Sequence, residues 1–189
     1  MNSPTISPPI GVGPPCCLPG DYRQHCQHRP RWLQYRGGPF VQTAIFAEGK
    51  LHGIAVRNGS ISNGVGNGVD LSSADGSIVE GLRVEVTGPG SAPGISANGI
   101  IKNNTVTGSR GTGISATGIV TGNYAFGNRI FNIEAGQGST VIGNTTTGSE
   151  ISGIVVACPS NVTDNTATGS SQNLVLNGEG CNNTNNVAP

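Results

Sequence analysis

Apolar and polar residues alternate along this chain in short bursts, and the bursts repeat. The repeats are indexed by a slot usually filled by Asn. Val79, Ile101, Val120, Val141 and Val162 stand three residues before it, and Val84, Val106, Ala125, Thr146 and Ala167 two after. A local period of two is that of a strand with one face inward. The slot itself reads Asn58, Leu82, Asn104, Asn123, Asn144, Asn165 and Asn186, at intervals of 24, 22, 19, 21, 21 and 21. A second phrase, GISA at 94–97 and 113–116, NIEA at 132–135, GIVV at 153–156 and NLVL at 173–176, lies between the slots. Its apolar member runs Val69, Ile95, Ile114, Ile133, Ile154 and Leu174, at intervals of 26, 19, 19, 21 and 20.

Two ladders sharing one period predict one coil per repeat. No Asn-Gly turn recurs at hairpin spacing, so the strands are not expected to pair with their chain neighbours. They are expected to stack on the equivalent strand one coil later, at about 4.8 Å per coil. Small inward residues would fill the bore, and the Asn side chains would hydrogen-bond up the stack. Gly108, Gly127, Gly148 and Gly169 fall where a corner needs backbone freedom. A hexapeptide helix and a leucine-rich repeat need other periods or a Leu framework, which are not found here.

In Gly-Ile-x-Ala and Val-x-x-Asn-x-Ala/Val the chain resembles the right-handed parallel β-helix repeat proteins of the pectin-lyase-like superfamily over about residues 51–189. The expected fold is therefore all-β, a single-stranded right-handed parallel β-helix of about six or seven coils. The resemblance implies an extracellular or cell-surface setting and contact with polysaccharide. It also implies two kinds of member: polysaccharide lyases, hydrolases and epimerases, and repeats without activity.

Composition narrows this further. Glycine at 31 of 189 residues and 4% aromatics exclude a core of large side chains, while 34% hydrophobic residues is too high for a disordered chain. A net charge of zero with 11% charged residues leaves no footprint for nucleic acid, and no apolar run is long enough for a membrane helix. No signal segment is legible in the chain as given. Residues 1–37 read as a leader and 38–50 as a transition or partial first coil. The leader holds seven of the twelve prolines together with Cys16, Cys17, Cys26, His25, His28 and Trp32. Its cysteines and histidines match no zinc spacing, so no metal or other cofactor is expected. It reads as a Pro-rich disordered segment, or in part as an out-of-frame translation, since a one-base shift permits a rung across residues 28–37.

The candidate chemistry is sparse. The outward position of the Gly-Ile-x-Ala phrase reads Asp70, Ser96, Ser115, Glu134, Val155 and Val175. Asp70 and Glu134 are three coils apart there, about 14 Å, too far for a glycosidase pair at about 5–9.5 Å. Glu80, Arg83, Glu85 and Lys102 form the alternative catalytic set, with Lys102 or Arg83 as base and Glu80 as partner. A solvated cross-strand ion pair explains the same residues. Positions one and three after the slot read Arg83/Glu85, Thr105/Thr107, Tyr124/Phe126, Thr145/Thr147 and Thr166/Thr168. Three readings stand for this rank: glycan binding through Tyr124 and Phe126 with the threonines beside them, ice binding by a threonine grid, and ordinary strand residues on an exposed face. Cys158 and Cys181, about one coil apart, are either a disulfide or two small core residues. Sequons at Asn58, Asn103, Asn144, Asn161 and Asn182 reflect the Asn- and Thr-rich composition.

Overall fold

The computed structural model describes residues 33–36 (backbone), 43–47, 49–62, 66–86 and 90–189. Every strand pairing among them is parallel, and each joins a strand to its counterpart one coil away. The result is an all-β parallel solenoid of about six turns. Each coil has three faces. The first carries the Gly-Ile-x-Ala phrase, the second the residues before the Asn slot, and the third those after it.

Three inward columns fill the bore, and each follows from the alternation. On the first face Val69, Ile95, Ile114, Ile133, Ile154 and Leu174 lie in register. On the second, Val56, Val79, Ile101, Val120, Val141 and Val162 do so. On the third the column is Ile61, Val84, Val106, Ala125, Thr146 and Ala167. Nearly all of these side chains are buried, with Leu174 only partly so. Each coil thus buries mostly aliphatic groups of moderate size against their own repeats above and below. A stack of this kind is stabilised by nearest-neighbour contacts along its length.

The Asn column closes the corner between the second and third faces. Asn104, Asn123, Asn144 and Asn165 each donate from Nδ2 to the Oδ1 of the next Asn, at 3.0, 3.0, 2.9 and 2.9 Å. The same Oδ1 atoms accept the backbone N–H of the Asn below. Each amide also donates to a carbonyl of the second face, as Asn123 does to Ile101 at 2.9 Å. Every polar atom of these buried amides is therefore engaged, which is the condition for an amide to be stable in a core.

The ladder begins at Asn104 rather than at Asn58. Gly59, not Asn58, stands opposite Leu82. Asn58 instead occupies the left-handed corner position, with φ of 52°, in a column with Gly81, Asn103, Gly122, Gly143, Asp164 and Asn185. Only Gly, Asn and Asp appear in that column because other side chains strain at positive φ.

The drift of the period from 19 to 21 has a local cause. In the Ile95–Lys102 and Ile114–Thr121 strands the first face runs straight into the second through Gly99 and Gly118. A Cβ on Gly118 would collide with the Gly99 carbonyl. Later coils break there. Phe131–Ala135 and Thr140–Ile142 are separate strands, and Ala135 to Thr140 spans two residues more than Ala116 to Ile119. Ser139 and Ser160 fill the longer corner. Gly118 donates its N–H to Ser139 Oγ at 3.2 Å, and Ser139 donates its N–H to Ser160 Oγ at 3.1 Å.

The stack also reaches further toward the N-terminus than residue 51. Leu33–Arg36 pairs with residues 59–62, and Thr43–Phe46 with residues 67–70. Cys16, Cys17, Cys26, His25, His28 and Trp32 lie outside the described residues.

Candidate functional site

The third face carries the threonine and aromatic ranks. Alternation turns Ala125 into the bore, so Tyr124 and Phe126 on either side of it point outward. Register places Thr105 and Thr145 on the two sides of Tyr124, and Thr107 and Thr147 on the two sides of Phe126. The two ring centroids are 5.0 Å apart and the planes differ by 30°. At that separation the rings are tilted partly over one another rather than laid edge to edge, so they form one apolar aromatic cluster, and Tyr124 is 42% exposed. Arg83 and Glu85 stand one rank below Thr105 and Thr107, and Thr166 and Thr168 one rank above Thr145 and Thr147.

Glu80 and Lys102 face outward on the second face, where their strands pair in register. Lys102 Nζ lies 3.1 Å from Glu80 Oε1, and Arg57 Nε lies 3.2 Å from Glu80 Oε2. Glu80 is thus clamped between cations on the coils above and below. Arg83 and Glu85 belong to the far side of the corner and share no ion pair with this triplet among the described residues. His52 has a partner that its sequence neighbours do not reveal. Its Nδ1 is 3.9 Å from Asp75 Oδ2, one coil on, and both side chains are largely exposed.

The outward column of the first face runs Asp70, Ser96, Ser115, Glu134, Val155 and Val175 in register, which puts Asp70 and Glu134 three coils apart. Asp70 is engaged locally, accepting the Ser72 N–H at 3.1 Å and the Ser72 hydroxyl at 2.7 Å. Beside this column is a trough of about 320 Å³ lined by Ser96, Asn98, Ser115, Thr117, Glu134 and Asn177 among others. Small residues, Gly136 and Ala157, are also among its walls. The column is legible in the sequence but the hollow is not, because its walls come from several coils that only the stacking brings together.

Cys158 and Cys181 sit at the corner beyond the first face, with Cα atoms 5.0 Å apart and sulfurs 2.05 Å apart, joined as a disulfide across adjacent coils. Among the described residues no group of three or more His, Cys, Asp or Glu side chains gathers to hold a metal ion. No helix there is long and apolar enough to cross a membrane. Fold and surfaces together define the class: a parallel β-solenoid whose side chains are displayed in ranks, one per coil. The chain matches no protein-family model, no curated protein and no solved structure.

Proposed function

We propose that this solenoid is a non-catalytic scaffold that contacts polysaccharide through its third face. The observation that carries the proposal is the Tyr124 and Phe126 pair, two rings 5.0 Å apart, tilted partly over one another, standing between ranks of threonine. A sugar ring presents C–H groups to an aromatic face, and its hydroxyls find donors and acceptors in Thr105, Thr107, Thr145 and Thr147. Kinship with the pectin-lyase-like proteins and an extracytoplasmic setting belong to the same proposal. The Cys158 to Cys181 bond favours the setting, since such bonds persist in oxidising compartments.

A lyase or hydrolase centred on Glu80, Arg83, Glu85 and Lys102 is the weaker reading. Lys102 is engaged by Glu80, which Arg57 also holds, and Arg83 shares no ion pair with them among the described residues, so base and partner do not gather around one point. Ice binding is weaker too, because the aromatic rank interrupts the threonine grid. The test is a glycan array and pull-down with the intact chain and with Tyr124→Ala. Retention on a polysaccharide that falls about tenfold or more in the variant is the expected result. Retention unchanged by Tyr124→Ala removes the aromatic pair as the contact. Release of unsaturated uronate from a polymer panel would reinstate the enzyme.

A further inference from the structure

We propose a second ligand site, in the first-face trough, that takes a protonated amine on a polyhydroxylated ring, that is, an amino sugar with its nitrogen free. The trough holds one charged side chain, Glu134. Its carboxylate makes no ion pair among the described residues. An ionised carboxylate can only accept hydrogen bonds, so the group that meets it must be a donor, and a cationic donor binds best. No cation lines the hollow, so a uronate would meet repulsion there.

The remaining lining explains why the rest of the ligand should be a sugar. Ser96 and Ser115 repeat one hydroxyl per coil in register, and Asn98 and Thr117 repeat a second polar column two residues further on. These neutral groups both donate and accept, as ring hydroxyls do. Gly136 lets the Thr117 side chain pack close against the wall, since a Cβ there would collide with Thr117 Oγ1. A volume of about 320 Å³ is at the small end of the range for ligand sites. The site uses neither residue of the aromatic pair.

The test is isothermal titration calorimetry of the full chain with a fully deacetylated glucosamine oligomer, at low salt and at a pH where the amines are protonated and Glu134 is ionised. The same titration is run with the N-acetylated oligomer and with a short oligolysine. The deacetylated oligomer is expected to bind, and to bind about tenfold more weakly to Glu134→Gln, which keeps the shape and removes the charge. Tyr124→Ala should leave this affinity unchanged, separating the site from the third face. Unchanged thermal unfolding of Glu134→Gln confirms that the loss is local. The proposal is overturned if the deacetylated oligomer does not bind, if Glu134→Gln binds it equally, or if the N-acetylated oligomer binds as well. Oligolysine binding as tightly overturns the sugar assignment.

Discussion

Truncating Asn144 to Ala probes what holds one coil to the next. Asn144 Oδ1 accepts both the N–H and the Nδ2 of Asn123, each at 3.0 Å, and its own amide donates to Val120 and to Asn165 Oδ1 at 2.9 Å. The variant leaves two Asn123 donors facing a void, and Asn123 is only 1% exposed. An orphaned buried donor costs about 1–3 kcal/mol, so the loss should be roughly 3–5 kcal/mol. That is a large share of the roughly 5–15 kcal/mol that keeps an ordinary domain folded. Asn186→Ala, at the partly exposed end of the same ladder, should cost only about 1 kcal/mol because water can replace the lost amide. Urea unfolding followed by far-ultraviolet circular dichroism reads both. An Asn144→Ala chain within about 1 kcal/mol of the parent, or no weaker than Asn186→Ala, would show that the amides do not bear the stack.

Two further substitutions follow from the core and the covalent clamp. Thr146 is fully buried in the column of Val106, Ala125 and Ala167, and its Oγ1 has no hydrogen-bond partner. Thr146→Val keeps the shape and removes that hydroxyl, so the urea midpoint should rise by the equivalent of about 1 kcal/mol, and a fall would mean the hydroxyl is satisfied after all. The Cys158 to Cys181 bond closes a loop of 23 residues in separation. Its removal in Cys158→Ser/Cys181→Ser should cost roughly 3 kcal/mol. Amide exchange should quicken mainly over residues 172–189, whose strands rest on one neighbour. Uniform acceleration along the chain would contradict a local clamp.

The columns were legible before any coordinates because a solenoid presents the same environment at the same place in every turn. Val79, Ile101, Val120, Val141 and Val162 were read as one inward column, and they are one. Tyr124, Phe126 and the four threonines around them were correctly ranked for the same reason. The slip at Asn58 shows where periodicity stops. Asn serves both the amide ladder and the left-handed corner, and only the backbone path separates Asn58 from the Asn104 column. His52 and Asp75 met unseen because their spacing crosses an irregular coil.

What the sequence determined alone was the repeat, the direction of stacking and the sorting of side chains into bore and surface. Each of these depends on alternation and period, which are properties of the chain read one residue at a time. Tertiary structure decided the rest: the two-residue corner insertion that shifts the period, the clamp of Arg57 and Lys102 on Glu80, and the hollow over Gly136. Those features depend on how the backbone turns between strands and on which side chains meet across coils. Corner geometry is fixed by contacts between coils, and no stretch of a single coil contains them.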